Sequence, residues 1–198
     1  MMKLLLATHN HGKRREWQAL LAGLDVELLL PEDLGLEIEV AETGATYRAN
    51  ALLKARTLSA AAGLPALADD SGLEVDALDG APGIRSARYR LGSDEVRYRA
   101  LLQALQDVPA SERTARFRCL AAVVFLDGRE FTTEGLCEGV ISTAPAGKEG
   151  FGYDPVFYVP EAECTMAEFT PEQKNRLSHR ARAAQEMREI LQQLAVGC

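Results

Sequence analysis

A long β-hairpin predicted in the middle of the chain constrains the fold more than any other feature. Two segments with strand-like patterns, residues 116–126 and 129–139, flank the pair Asp127-Gly128, which is favoured in tight hairpin turns. Helices and strands alternate on either side of it. The sequence therefore predicts an α/β fold with a mixed β-sheet and flanking helices, in two lobes with a central cleft. We find no linker between lobes, so a single domain over residues 1–198 is expected.

Shorter patterns predict the other elements. Apolar runs indicate buried strands, and apolar residues at helical spacing indicate amphipathic helices. Thr170-Pro171-Glu172-Gln173 has the form of a capping box with a proline at the first helical position. The predicted strands lie at 3–8, 26–30, 66–68 and 156–158, and helices are predicted from about residues 13, 43, 93 and 178.

Charge and cysteine content narrow the range of partners. The 22 Lys and Arg against 29 Asp and Glu give a net charge of −7. This argues against duplex DNA as a partner, but a small phosphorylated ligand needs only a local cluster of cations. The first apolar run is too short for a signal peptide or a membrane span, so we expect a cytoplasmic protein without membrane or nucleic-acid partners. Four cysteines without metal-ligand spacing are expected to be free thiols: Cys119, Cys137, Cys164 and Cys198.

The segment after the first predicted strand is a candidate phosphate-binding turn. It reads Thr8-His9-Asn10-His11-Gly12-Lys13. A strand, a turn with glycine and a helix start expose backbone N–H groups at the positive end of a helix dipole. Thr8 and Asn10 add side-chain donors and Lys13 adds a cation. The segment lacks the GxxxxGK[ST] pattern of a Walker A loop, and an ordinary strand-to-helix turn with a solvated lysine remains an alternative.

Two acidic segments are candidates for a metal site. Asp69-Asp70-Ser71-Gly72 is expected to form a turn after a brief apolar strand, at a sheet end where α/β folds build sites. Adjacent carboxylates repel each other unless a cation offsets the repulsion, and oxygen-rich sites suit Mg²⁺. Glu42, near the start of the long second helix, adds a third carboxylate. Lys54 and Asn50 share one face of that helix. A plain acidic turn and a solvated lysine are the alternatives.

Two later segments carry groups suited to a purine base. Gly150-Phe151-Gly152-Tyr153-Asp154 sets an aromatic ring between two glycines, which allow close approach of a ligand. Basic residues cluster around the start of the last helix, where they oppose the helix dipole, and this indicates an anionic or carbonyl ligand. The cluster comprises Lys174, His179 and Arg180, with Ser178 beside them. A core aromatic and a structural histidine are the alternatives.

Taken in order, these segments resemble the inosine triphosphate pyrophosphatase (dITP/XTP pyrophosphatase) family along nearly the whole chain. The matching blocks are LLATHNHGKRREW, ETGATYRANALLKA, ALADDSGLEVDALDGAPGIRSARY, GFGYDPVFYVP and MAEFTPEQKNRLSHRARA. Five blocks in order are far more specific than any one of them. His9 departs from the pattern, since many members carry glycine there.

The resemblance implies a homodimer and a Mg²⁺-dependent hydrolysis of ITP, dITP or XTP to the monophosphate and pyrophosphate. It implies a metal site at Glu42 and Asp70, with Asp70 or Asp69 activating water. The implied ligands of the triphosphate are Thr8, Asn10, Lys13 and Lys54, with His9, His11 and Gly12 in the same turn. Ser71 would contact the substrate and Phe151 would stack on the base. The other implied ligands of the base are Gly152, Tyr153, Asp154, Lys174, His179 and Arg180.

Two other functions fit parts of the sequence. The related Maf-like pyrophosphatases act on other nucleotides, but the Phe-Gly-Tyr-Asp and Ser-His-Arg blocks favour the first family. A nucleotide-binding protein without activity is the second alternative, and the complete set of carboxylates argues against it. A haloacid-dehalogenase-type phosphatase would need Asp-x-Asp after its first strand, and none follows Thr8.

Overall fold

The computed structural model describes residues 1–195, and within them the chain forms seven strands and five α-helices. The strands are β1 (Met2–Leu6), β2 (Val26–Leu29), β3 (Ala66–Val75), β4 (Thr114–Val124), β5 (Glu130–Ile141), β6 (Phe157–Val159) and β7 (Cys164–Thr165). The helices are α1 (His11–Leu20), α2 (Tyr47–Ala62), α3 (Asp94–Ala104), α4 (Pro171–Leu177) and α5 (His179–Ala195).

The strands form one mixed sheet in the order β2-β1-β3-β4-β5-β6-β7. Strand β1 pairs in parallel with β2 and with β3, where Leu5 lies opposite Ala66. At the other end, β6 pairs antiparallel with β5 and with β7. Parallel pairs need crossover helices, whereas antiparallel pairs follow from hairpins. The predicted α/β class with a mixed sheet is confirmed.

The chain divides into two compact units, each with its own core. Unit 1 comprises Met1–Asp70, Cys119–Gly135 and the chain from Arg180 onward; unit 2 comprises Ser71–Arg118 and Leu136–His179. The largest buried side chain of unit 1 is Trp17, and unit 2 is built around residues such as Phe157. The cleft between two lobes remains a prediction.

The central hairpin differs from its prediction at the turn. The Phe125 N–H donates to the carbonyl of Arg129 at 2.9 Å, and the Gly128 N–H donates to the carbonyl of Phe125 at 3.0 Å. The loop therefore has three residues instead of two, with Gly128 in the left-handed region at a φ of 88°. Three-residue hairpin loops commonly consist of a type I turn followed by one residue with a positive φ, and Gly128 is that residue here.

Strand β3 corrects the prediction of a turn at Asp69-Asp70-Ser71-Gly72. The strand continues through these residues to Val75. Successive side chains of a strand point to opposite faces, so the two acids do not face each other. Asp69 follows Leu67 toward the core that contains Trp17, and Asp70 lies on the opposite face.

Three helix starts show how local signals fix boundaries. Asn10 and Thr46 cap α1 and α2 by accepting backbone N–H groups from Lys13 and Ala49. Helix α2 therefore begins at Tyr47 and not at Thr43-Gly44 as predicted. The capping box at Thr170 is confirmed, with Gln173 reaching back to the Thr170 N–H.

Two sequence expectations concern compartment and redox state. No helix within residues 1–195 is both long enough and apolar enough to span a membrane. The structure contains free thiols at Cys119, Cys137 and Cys164, as predicted for these three residues. Cys198 lies outside the described residues.

Candidate active site

The predicted phosphate-binding turn connects β1 to α1 in unit 1. The Asn10 side chain accepts the Lys13 N–H at 2.9 Å, and the Asn10 N–H donates to Thr8 Oγ1 at 3.2 Å. The helix therefore begins with backbone N–H groups at its positive end, beside the buried Gly12. His9 and His11 are exposed on this turn, and His9 Nε2 lies 3.1 Å from the carbonyl of Ile38.

Asp69 is a buried anion in unit 1, surrounded by cations. Its Oδ2 lies 2.9 Å from an Arg180 guanidinium nitrogen and 3.1 Å from Lys13 Nζ, and Trp17 Nε1 donates to its Oδ1 at 3.2 Å. Burial would raise the pKa of Asp69, but the charges of Lys13, Arg180 and Lys54 outweigh this effect and hold its pKa well below the ordinary value. Asp69 is therefore a permanent counter-ion.

Asp70 has the opposite environment, on the α2 side of the same strand. Its Oδ2 accepts from Asn50 Nδ2 at 2.9 Å, and its Oδ1 lies 4.0 Å from Lys54 Nζ. Burial raises the pKa of Asp70; Lys54, Lys13 and Asn50 offset part of this rise, and the nearby charge of Glu42 adds to it. A carboxylate with a raised pKa is better suited to accepting a proton than Asp69 is.

Two ammonium groups meet at the backbone of Asp69. Its carbonyl oxygen accepts from Lys54 Nζ at 2.7 Å and from Lys13 Nζ at 3.3 Å. Lys54 Nζ also donates to Glu42 Oε1 at 2.6 Å. Both lysine side chains are only 14% exposed. Because they are largely shielded from water, their charges act more strongly on an anion than exposed charges would.

The carboxylates of Glu42 and Asp70 suit a metal ion whose coordination shell is completed by the substrate. Within residues 1–195, no group of three or more His, Cys, Asp or Glu side chains is arranged to hold a metal. Glu42 and Asp70 both lie near Lys54, with one oxygen of each within 4.0 Å of its Nζ, and the charge of Glu42 acts on Asp70. Mg²⁺ is commonly held by one or two carboxylates together with substrate phosphates and water, so this donor set suits Mg²⁺.

A second group lies in unit 2, around the buried Asp154. Its Oδ2 accepts from Lys174 Nζ at 2.5 Å and from the Phe151 N–H at 2.8 Å. Lys174 Nζ lies 4.9 Å from the centroid of the Phe151 ring. One carboxylate thus fixes both an ammonium group and an aromatic ring, which is half-buried.

The loop that carries Phe151 is fixed on both sides. Gly150 has a φ of 77°, and a Cβ there would lie 2.1 Å from Asp154 Oδ2, so only glycine fits. The Gly152 N–H donates to Asp94 at 2.7 Å.

The hydroxyl of Tyr153, in the same loop, contributes a buried contact. It donates to the carbonyl of Ser86 at 2.9 Å, so Tyr153 anchors the loop. Ser71, implied as a substrate contact, lies half-buried in β3 directly after Asp70.

The basic cluster at the start of α5 separates into two environments. Arg180 belongs to unit 1 and is 1% exposed; it pairs with Asp69 and Glu16. These two carboxylates offset the unfavourable helix dipole, and the role of Arg180 in reading the base stays a prediction. His179 belongs to unit 2 and stacks on Phe117, with ring centroids 4.7 Å apart.

The structure therefore brings half of the predicted site residues into two groups. The group in unit 1 contains Lys13, Glu42, Lys54, Asp69, Asp70 and Arg180; the group in unit 2 contains Phe151, Asp154 and Lys174. The sequence did not indicate the contacts of Glu16 with Arg180, of Trp17 and Cys119 with Asp69, or of Asp94 with Gly152. Asn50 was noted only for its helix face. The one available signal was Asn50, a polar residue beside the apolar stripe of α2.

Comparison with known proteins gives consistent matches. The family model described as the Ham1 family matches residues 4–190. A curated dITP/XTP pyrophosphatase of Symbiobacterium thermophilum is 53% identical over 182 residues, covering 91% of this chain and 90% of the relative. One of Geobacter sulfurreducens is 51% identical, covering 92% and 93%. The solved structure of a HAM1 protein from Coxiella burnetii has a TM-score of 0.88 and 39% identity, covering 98% of this chain and 100% of that chain.

Proposed function

This chain belongs to the Ham1 family, and on that basis we propose that it hydrolyses the non-canonical purine nucleotides ITP, dITP and XTP to the monophosphate and pyrophosphate. Both curated relatives described above are named dITP/XTP pyrophosphatases. The predicted family and enzyme class are confirmed by these matches. The roles of individual residues are part of the proposal.

One observation carries the proposal: two shielded lysines converge on the backbone of Asp69, next to a pair of carboxylates. Lys13 and Lys54 both donate to the Asp69 carbonyl, and Glu42 and Asp70 flank Lys54. A triphosphate needs cations along its length, and a metal that bridges its oxygens needs a small number of carboxylates. Unit 1 supplies both within one group of residues.

The reaction follows from what these residues can do. Lys13, Lys54 and the N-terminal N–H groups of α1 bind phosphate oxygens, where they stabilise the charge that develops on the α phosphate and the departing pyrophosphate. Asp70 orients the attacking water and accepts its proton. Glu42 and Asp70 would hold Mg²⁺ together with substrate phosphates, and the bound ion would supply further positive charge to the phosphate oxygens.

Asp69 has a separate role in this scheme. Its charge is already matched by Lys13, Arg180 and Lys54, so it is poorly suited to accept a proton. We assign it the task of holding the lysines in place. This supports Asp70, and not Asp69, as the proposed base.

The group in unit 2 is proposed to recognise the base. Phe151 stacks on the purine ring, and Lys174 donates to the carbonyl at position 6 of inosine or xanthine. An ammonium carries three N–H donors, so Lys174 can bond a base while it is paired with Asp154. Adenine presents an amine at position 6, so its N–H donors would face the N–H donors of Lys174. This mismatch would strongly favour inosine and xanthine over adenine.

A nucleotide panel tests the proposal. The purified protein is incubated with ITP, XTP, dITP, GTP or ATP and Mg²⁺, and pyrophosphate is resolved from orthophosphate. We expect pyrophosphate from ITP, XTP and dITP and much slower turnover of ATP. Orthophosphate together with the diphosphate would contradict the assignment, and nucleotide binding without turnover would favour the inactive binding protein.

The remaining expectations from the resemblance extend the proposal. We propose that the chain forms a homodimer in the cytoplasm and uses Mg²⁺, with small-molecule nucleotides and not nucleic acid or membrane as its partners. The net charge of −7 argues against nucleic acid as a partner, and the free thiols suit a reducing compartment. Light scattering at several protein concentrations measures the oligomeric state.

A further inference from the structure

Helix α2 holds the segment that carries Glu42 at three points. Thr46 caps the helix by accepting the Ala49 N–H at 3.1 Å. The Gly44 N–H donates to Asn50 Oδ1 at 2.8 Å, and Lys54 donates to Glu42 itself at 2.6 Å. Asn50 and Lys54 are four residues apart, so one face of the helix makes both of the latter contacts.

The other end of the Asn50 amide holds Asp70. Asn50 Nδ2 donates to Asp70 Oδ2 at 2.9 Å, and Asn50 is 0% exposed. The side chain therefore bridges the Glu42 segment and the Asp70 carboxylate through atoms that are shielded from water. A buried amide needs such partners, because an unmade hydrogen bond in this environment is costly.

The contact with Gly44 leaves no room for a larger residue. A Cβ on Gly44 would lie 2.6 Å from Asn50 Oδ1 and 2.7 Å from the Ala49 Cβ. The segment thus approaches the helix as closely as a backbone can. The position of Glu42, two residues away, is set by this approach together with its bond to Lys54.

The chemistry of the amide suits both contacts at once. Asn offers one acceptor oxygen and one donor nitrogen; the oxygen meets an N–H, and the nitrogen meets a carboxylate. Leucine has the same number of side-chain heavy atoms and the same branching at Cγ, and can make neither bond. The orientation of the amide is fixed by these two partners.

We propose that Asn50 is a positioning residue that sets the spacing of Glu42 and Asp70 for a divalent cation. The inference rests on the proposed function, since it concerns the metal assigned to that site. Residues that orient metal ligands typically change metal affinity about 10- to 100-fold when they are replaced. Asn50 does not contact substrate in this scheme, so its loss acts through the two carboxylates.

The test measures cation binding directly, with Mn²⁺ as a paramagnetic probe for Mg²⁺. The protein is saturated with an ITP analogue whose α–β bridging oxygen is replaced by CH₂, and bound Mn²⁺ is followed by water proton relaxation. We expect Asn50→Leu to raise the Mn²⁺ dissociation constant about 10- to 100-fold. In steady-state assays with ITP, raising Mg²⁺ should restore much of the lost kcat.

Gly44→Ala tests the same link from the other side. The added methyl displaces the segment from Asn50 without touching Asp70, so it should also weaken Mn²⁺ binding. Ser59→Ala is the matched control on the same helix: Ser59 is buried and donates to the carbonyl of Leu64 at 2.7 Å, away from the carboxylates. It should lower thermal stability but leave the Mn²⁺ dissociation constant unchanged.

The outcomes separate the two levels of the proposal. If the unmodified protein binds neither Mn²⁺ nor the analogue, the proposed function fails. If the unmodified protein binds both, but folded Asn50→Leu and Gly44→Ala bind Mn²⁺ like Ser59→Ala, the role of Asn50 is overturned. Should Asn50→Leu not fold, Gly44→Ala alone decides between these results.

Discussion

Two buried lysine–carboxylate groups, one in each unit, show how the same residue types serve different tasks. In unit 1, the negative charge of Asp69 is balanced by Lys13, Arg180 and Lys54. The two lysines also donate hydrogen bonds to the Asp69 backbone carbonyl. In unit 2, the Asp154 carboxylate pairs with Lys174, and Lys174 lies over an aromatic ring.

The two groups differ in how much positive charge they gather and in how precisely they orient a ligand. The group in unit 1 concentrates positive charge beside two carboxylates, which suits a polyanion and a metal ion without regard to the base. The group in unit 2 sets one donor and one ring face in fixed positions, which suits a flat base with a particular atom at one edge. Substitutions in unit 1 should therefore affect all nucleotides, whereas changes in unit 2 should affect particular ones.

The largest effect is expected for Asp70→Asn. The amide is a poor ligand for Mg²⁺ and cannot accept a proton, so kcat for every nucleotide should fall roughly 1,000-fold or more. Thermal stability should be nearly unchanged. Glu74→Gln, on the same strand, is the control and should retain turnover. Near-normal activity of Asp70→Asn at saturating Mg²⁺ would make Asp70 a structural residue only.

Asp69→Asn should instead reduce stability. Removing this charge deprives Lys13, Arg180 and Lys54 of a shared buried counter-ion, and breaking a buried ion pair typically costs about 3–5 kcal/mol of unfolding free energy. Asp154→Asn removes the ion pair with Lys174 and should cost less. Urea denaturation of both variants checks the order, and a smaller loss for Asp69→Asn than for Asp154→Asn would refute it.

Lys174→Ala should alter selectivity. The loss of one hydrogen bond from a charged donor costs about 1.5–3 kcal/mol, or roughly ten- to a hundredfold. We expect kcat/KM for ITP to fall by this factor and kcat/KM for ATP to change little, so the ratio between them narrows. An unchanged ratio would mean that Lys174 binds phosphate or only supports Asp154.

Phe151→Ala should give the smallest and least selective effect. Its ring contacts the face of any purine, so kcat/KM for ITP and ATP should fall by similar factors of roughly tenfold or less. The same kinetic comparison used for Lys174→Ala measures this. If kcat/KM fell for ITP but not for ATP, Phe151 would share the discrimination between bases that is assigned to Lys174.

The sequence predicted those features that depend on neighbouring residues. The capping box at Thr170 and the strands of the central hairpin follow from local patterns and were confirmed. The course of β3 through its two acids was missed, because the stability of a buried Asp69 depends on Arg180, a partner 111 residues away. No pattern in the sequence around Asp69 indicates so distant a partner.

Arg180 carried a local signal of the same limited kind. Its position at a helix start indicated a negatively charged partner, and Asp69 is such a partner in the structure, whereas contact with a base stays a prediction. The group formed by Lys13, Lys54 and Asp69 could be predicted only in part. Local motifs made its members candidates and the family resemblance implied their roles, but the meeting point at a backbone carbonyl became visible only in the structure.

Hydrolysis of ITP in oxygen-18-labelled water shows which phosphorus is attacked. We propose that the cations and carboxylates of unit 1 promote attack on the α phosphorus. Mass spectrometry of the products should then find the label in IMP, with unlabelled pyrophosphate as the other product. Label in pyrophosphate would place the attack at the β phosphorus, and IDP with labelled orthophosphate would place it at the γ phosphorus; either result contradicts the account.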